Sequence, residues 1–252
     1  MTFHYKQSSV YNSVAILGAG GHTKQIIDIF DKNGIRVFGI FDDYKEKGSV
    51  YYKNYIIKDT ITSFLQTIKT HINRDMNTER DTNDVNDVSD LSDVSDVGFI
   101  CGIGDNEVRR MIVSTFMNNG LKNRFVNCIS QYAHISESVK MGVGNYIGDF
   151  TIILSDTTMG DFNIINTNSN VAHDIKIGNF NHIAPSSVIG GTVSIGDMNL
   201  IGTNATINLK INIGNGNTIG CGCVVIRNIT NNCTAVGNPA KIINLCITNT
   251  LK

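Results

Sequence analysis

From Met141 onward every sixth residue is aliphatic or Met: Met141, Ile147, Ile153, Met159, Ile165, Val171, Ile177, Ile183, Ile189, Ile195, Ile201, Ile207, Ile213, Ile219 and Val225. A chain that is 41% hydrophobic overall does not hold such a run without a structural cause. Glycines carry a longer period, with Gly142, Gly160, Gly178, Gly196 and Gly214 each 18 residues from the last. The segments "MGDFNI", "IGNFNH", "IGDMNL" and "IGNGNT" are one pattern. A period of six that closes after 18 predicts three short flat strands per triangular coil, each sending one aliphatic side chain inward. Coils stack, so each inward residue packs on the one a coil before it. At about 1.5–3 kcal/mol per buried side chain, the column contributes tens of kcal/mol before chain entropy is subtracted. Gly, Asn and Asp just after the apolar position are expected to supply the corner angles. The solenoid covers about residues 135–226.

The first half has a different rhythm. Residues 14–17 (VAIL) form a short apolar strand, followed by the glycine turn "GAGGHT" and a helix over about 23–32. "VFGIFDD", residues 37–43, is a second strand ending in two aspartates. "GFICGIGDN", residues 98–106, is a third, followed by the helical "EVRRMIVSTFMNNG". Strand and helix in alternation imply a small parallel sheet, with its ligand crevice beyond the carboxyl ends of the strands. The glycine turn, Asp42-Asp43 and Gly104-Asp105-Asn106 all fall at those ends. The turn has the first two glycines of GxGxxG, but Thr23 stands in the third place. An acid about 20 residues on would suit the ribose of NAD. The missing third glycine, and the lack of a separate redox-substrate domain, count against that reading.

Composition narrows the function. A net charge of −1 gives no basic field for nucleic acid or an anionic membrane. The opening "MTFHYKQSSVYNS" lacks the apolar run of a signal peptide, and no stretch of about 18 apolar residues exists. A cytoplasmic protein is expected. The six cysteines show no CxxC spacing and read as reduced thiols; Cys221 and Cys223 make a lone CxC. Within about 71–97 Asp recurs every third residue from Asp81 to Asp96. A calcium-binding β-roll would need glycines between these acids, so an acidic inserted loop is expected, one whose removal over 77–95 leaves the chemistry nearly intact. The abundance of Asn is read as genome composition.

"GAGGH", a strand ending in "DD", a "GIGDN" turn and then a hexapeptide solenoid resemble, in that combination, the nucleotide-aminosugar N-acetyltransferases of glycan biosynthesis (the PglD type). They also resemble the related sialic acid O-acetyltransferases (the NeuD type). The likeness covers nearly the whole chain outside the acidic insertion. It implies a small Rossmann-like parallel α/β domain, residues 1–125, followed by a left-handed parallel β-helix, residues 126–252. The handedness and a homotrimer with intersubunit active sites come from the resemblance. The tail "AVGNPAKII", residues 235–243, resembles the VGxPAK tail of hexapeptide acyltransferases.

The decisive stretch is "NTNSNVAHDIKIGNFNH", residues 166–182. The family has an Asn, a catalytic His seven residues on followed by an acid, and a second His nine further. The resemblance therefore implies that His173 is the general base and that Asp174, in place of the family's Glu, orients it. It implies that Asn166 holds the sugar. His182, Gly191, Thr203 and Cys221 would meet acetyl-CoA, several through main chain. Gly20, Gly21 and His22 would lie along the diphosphate and sugar, with Gly104 also on the substrate side, and Asp42 and Asp43 would accept hydrogen bonds from the base or ribose. Imidazole suits the role of base, because it changes charge near neutral pH. The implied reaction is acetyl-CoA-dependent N-acetylation of a UDP-, dTDP- or GDP-linked amino sugar, perhaps a 4-amino-4,6-dideoxyhexose, with no metal. O-acetylation of a sugar is the nearest alternative, and a catalytically silent nucleotide-sugar sensor is another. An acyl-enzyme on Cys221 or Cys223 is disfavoured, because the family transfers directly and no His is paired with either thiol. A zinc site of His134, His173 and His182, as in γ-class carbonic anhydrases, is disfavoured by the nucleotide-type first domain and by ligand spacing.

Overall fold

The computed structural model describes residues 11–76, 94 and 96–245; most of the acidic insertion lies outside the described residues. The chain divides into two compact units. Among the described residues, one holds 11–103 together with 115–126, and the other holds 104–114 together with 127 onward.

The first unit is built from β1 (Ser13–Leu17), α1 (Gly21–Asn33), β2 (Arg36–Phe41), β3 (Val50–Tyr52), β4 (Tyr55–Asp59), α2 (Ile61–Met76) and β5 (Val97–Cys101). The sheet order is β3-β4-β2-β1-β5, parallel except where β3 runs against β4. All residues of β1 and β5 are buried, as continuous apolar strands of a parallel sheet require. Both aspartates follow the end of β2, and the "GIGDN" turn follows β5. The β3–β4 hairpin and α2 have no counterpart in the sequence reading. The hairpin turns at Lys53, which takes a left-handed φ of 51° where a Gly or Asn would have signalled a turn. The core is aromatic: Phe41 stacks on Phe64 at 3.9 Å, and Phe99 meets Phe64, Phe116 and Phe125 edge-on. Val94 belongs to this core. It is 1% exposed, and its carbonyl accepts Arg124 Nη1–H at 2.9 Å. The insertion expected to reach residue 97 therefore stops short of Val94.

The second unit contains the N-terminal part of α3 (Asn106–Met117) and a left-handed parallel β-helix. Two-residue strands form three faces, which carry eight, six and five strands including the tail. The ladders begin at Cys128–Ile129, two strands before the one that holds Met141, where the six-residue step starts. Of the step-of-six column only Met141 is not fully buried, and the aliphatics form one continuous core. The tail folds back as an antiparallel pair, Cys233–Val236 with Lys241–Leu245, on the first face.

The corners work differently from the expectation. The residue in the left-handed region is the third after each inward aliphatic, not the next one. Phe150, Asp156, Phe162, Asn168, Asp174, Phe180, Ser186, Thr192, Met198, Asn204 and Lys210 all have φ between 55° and 63°. The periodic glycines serve space instead: a Cβ on Gly160 would lie 2.8 Å from Gly178 O and collide with Asn179. Asparagine also has a structural cause. Asn145, Asn163, Asn181, Asn199 and Asn217 are buried and stacked one coil apart. Each Oδ1 accepts the backbone N–H of the next, as from Asn163 to Asn145 at 2.8 Å and from Asn199 to Asn181 at 2.8 Å. A second ladder, Asp161, Asn179, Asp197, Asn215 and Asn231, follows the third corner.

Candidate functional site

In the first unit the glycine turn is held from both sides. Gly18 takes φ 99°, and any side chain there would strike Ile103. Asp42 is buried; its Oδ2 accepts Ala19 N–H at 2.7 Å and its Oδ1 accepts Tyr44 N–H at 2.9 Å. Thr23 explains the missing third glycine. Its hydroxyl bonds Gly18 O at 2.7 Å and Gly102 O at 3.1 Å, filling space that a side chain on Gly102 would occupy. Gly20 caps α1 and Gly21 opens it, both exposed, so the first N–H groups of a 13-residue helix face outward. His22 lies on this first turn with Nδ1 3.2 Å from Gln25 Oε1. Asp43 is exposed and accepts Thr62 N–H at 3.2 Å. Tyr51, unsignalled in sequence, reaches Gly20 O at 2.5 Å.

In the second unit two clusters form. At the second corner, between the second and third faces, His173 Nδ1 lies 2.6 Å from Asp174 Oδ2. A carboxylate accepts, so Nδ1 carries a proton, and in the neutral ring the lone pair is on Nε2. Asp174 makes this contact from a left-handed corner position, φ 58°. Gly191 lies one coil on; a Cβ there would sit 3.0 Å from His173 Nε2. Its missing side chain keeps the approach to that nitrogen open. Both His173 and Asp174 are exposed.

The other cluster joins Asn166, His182 and Gly104. His182 lies in a strand of the first face, not at a corner, paired with Ile164 and Leu200. Its Nδ1 is 3.2 Å from Gly104 O and its Nε2 is 3.4 Å from Asn166 Nδ2. Burial, and then the positive charge of Arg109, push its pKa down to about 4, against the pull of the Gly104 carbonyl. His182 is therefore neutral at physiological pH. Thr203 and Cys221 form one exposed column at the first corner, where Gly222 N–H donates to Thr203 O at 2.8 Å.

Residues 13–73 match the model of the PglD N-terminal domain family. The whole described architecture matches PerB from Caulobacter crescentus, solved with CoA and GDP-perosamine, with a TM-score of 0.76 and 27% identity over 92% of this chain and 97% of that one. The chain is similar to acyltransferases of the PglD type. The acetyltransferase domain of PglB from Neisseria gonorrhoeae, solved with acetyl coenzyme A, matches with a TM-score of 0.76 and 25% identity over 92% of this chain and 100% of that one. An uncharacterised protein of Acanthamoeba polyphaga mimivirus is 40% identical over 157 residues, 62% of this chain and 25% of that protein. The chain thus spans about a quarter of the length of that curated relative.

The sequence reading missed Arg109. It is 1% exposed and donates to Phe162 O at 3.0 Å, Gly104 O at 2.9 Å and Asn106 Oδ1 at 2.7 Å. Asn106 in turn donates to Asn199 O at 3.0 Å. Nothing in "EVRRMIV" distinguishes Arg109 from its exposed neighbour Arg110, which pairs with Glu107. Cys223 is buried, which pushes its thiol up and away from the reactive thiolate. Among the described residues no group of His, Cys, Asp and Glu is placed to hold a metal, and no helix is long and apolar enough to cross a membrane.

Proposed function

We propose that this protein transfers an acetyl group from acetyl-CoA to the amine of a nucleotide-linked amino sugar, with His173 as general base. The observation that carries this reading is the His173–Asp174 contact with Nε2 facing the gap at Gly191. The carboxylate fixes the Nδ1–H tautomer, as in a triad. Nε2 then takes a proton from the substrate nitrogen as it attacks the thioester carbonyl, the thiolate of CoA leaves, and transfer is direct. PerB and PglB, solved with CoA or acetyl-CoA, support the choice of donor, and the GDP-perosamine in PerB supports a nucleotide-linked amino sugar as acceptor. Gly20, Gly21 and His22 receive the diphosphate at the start of α1. Asp43, exposed beside its contact with Thr62 N–H, is placed to meet the base or ribose, whereas Asp42 chiefly braces the loop. The resemblance makes the working protein a homotrimer, and exposed Val188, Leu209 and Ile226 on or beside the second face give it apolar surface to bury. A stable, active monomer in sedimentation would remove the trimer from this reading.

The test is turnover of acetyl-CoA with a panel of UDP-, dTDP- and GDP-linked 4-amino-4,6-dideoxyhexoses, following thiol release and the mass gain of one acetyl group. Acetylation of an amino sugar supports the proposal. Acetylation confined to hydroxy sugars would make it an O-acetyltransferase, and binding without turnover would make it a sensor.

A further inference from the structure

We propose that Arg109 is a positioning residue that, by gripping the Gly104 carbonyl, locks His182 as the neutral imidazole protonated on Nδ1, leaving Nε2 a hydrogen-bond acceptor only. The functional value of this lock rests on the reading of His182 as an acetyl-CoA contact. The lock itself follows from the donors and acceptors around the ring.

A carbonyl oxygen can only accept. Gly104 O lies 3.2 Å from His182 Nδ1 and 2.9 Å from Arg109 Nη1, so both nitrogens donate to it and its two lone pairs are used. The opposite edge of the ring gives the same answer independently. Asn166 Oδ1 accepts Thr167 N–H at 2.8 Å, which turns the amide NH2 toward His182. An amide NH2 only donates, so His182 Nε2, 3.4 Å away, carries the lone pair.

Arg109 holds this arrangement rigidly. Besides Gly104 its guanidinium donates to Phe162 O, Phe180 O and Asn181 O on neighbouring coils, at 3.0, 3.2 and 3.3 Å. The fork therefore ties the Gly104 carbonyl to the same face that carries His182, and its fixed charge opposes a second proton on the ring. The other groups facing His182 are uncharged: Asn166, and Ile164 and Leu200 of the paired strands. Asp105, next to Gly104, turns its carboxylate to Val108 N–H at 2.9 Å. A ligand atom that meets Nε2 must then be a donor that shares or replaces the long Asn166 contact, such as an amide N–H of the pantetheine arm. His182 cannot give a proton to the thioester oxygen.

The experiment is two-bond 1H–15N correlation spectroscopy on the full chain labelled with 15N-histidine, from pH 7.5 to 4. Wild-type His182 is expected to show the Nδ1–H tautomer and a midpoint near 4. Arg109→Met should raise that midpoint and mix the tautomers. Arg109→Lys, which keeps a charge but loses the fork, should give an intermediate midpoint, mixed tautomers and a several-fold higher KM for acetyl-CoA with a smaller change in kcat. If the variants fail to fold, the wild-type spectrum still decides: an Nε2–H tautomer, or titration near 6.5, overturns the proposal. An unchanged His182 in folded Arg109→Met overturns it too. A locked His182 in a protein without acetyl transfer would sink the functional reading and leave the lock standing.

Discussion

At the scale of single residues, the His173 site gives a graded set of outcomes. His173→Ala should lower kcat by about 10²–10⁴ with nucleotide-sugar binding largely kept, because it removes a positioned base. The loss should shrink as pH rises, since an already neutral amine needs less help. Asp174→Asn should lose less, because the imidazole remains while its orientation and charge support go. Gly191→Ala should fold yet lose turnover, its methyl standing 3.0 Å from Nε2. Steady-state kinetics on folded protein checks all three; near wild-type turnover in His173→Ala at neutral pH would refute the base assignment. His182 makes a separate prediction in stability. Its folded pKa of about 4 lies below the ordinary 6.5, so the unfolded chain takes up a proton first as pH falls. Its contribution is present above pH 6.5 and is lost between 6.5 and 4, by about 3 kcal/mol. Denaturant unfolding at pH 7 and pH 4.5 should therefore show a smaller drop for His182→Gln than for wild type. The resemblance could single out His173, Asp174 and Asn166 because the motif that carries them lies within one short stretch, residues 166–182. It could not place Arg109, because its partners in the solenoid, Phe162 O, Phe180 O and Asn181 O, lie 53 to 72 residues away and are backbone carbonyls that carry no side-chain signal.

At the scale of the element, the inward aliphatics were legible because one residue in six has a single task. The corners were less so. Left-handed backbone three residues after the aliphatic is held by Phe, Met, Lys and Thr as readily as by Asn, since coil-to-coil hydrogen bonds such as Thr192 N–H to His173 O fix the turn whatever side chain it bears. The asparagines look like composition until they are stacked. Asn181 Oδ1 accepts both the backbone and side-chain N–H of Asn199, at 2.8 and 3.0 Å, out of reach of solvent. Asn181→Ala would leave those donors unmet, at about 1–3 kcal/mol for each buried group. A marked fall in the melting temperature is expected, set against a change of about 0.5 kcal/mol or less for Lys176→Ala on the exposed third face. Equal effects from the two substitutions would mean that the ladder is not a source of stability.

At the scale of the molecule, the order of a nucleotide-type fold and a solenoid could be read directly, because their hydrophobic periods differ so sharply. The limits of each unit could not. Residues 104–114 group with the solenoid although they continue from β5, since the contacts of Asn106 and Arg109 decide membership and the run of sequence does not. The acidic insertion shows the same limit. Its composition marks where a polar segment begins, but nothing in "LSDVSDVGF" sets Val94 apart from Val88 or Val85. Val94 is nonetheless part of the aromatic core of the first unit, and its carbonyl receives Arg124. The expectation that removal of residues 77–95 leaves the chemistry nearly intact must therefore be narrowed. Replacing 77–93 with a short Gly-Ser linker should leave turnover nearly unchanged, because closing a loop of different length alters stability by only about 0.6 kcal/mol per twofold change. Val94→Ala in the otherwise intact chain should cost about 1–3 kcal/mol through lost burial. Extending the deletion through Ser95 should cost at least as much. Thermal unfolding of the three proteins, with turnover measured on each, separates the outcomes. A linker variant that folds yet loses most of its turnover would give the acidic segment a role in the chemistry, and a silent Val94→Ala would place that residue outside the core.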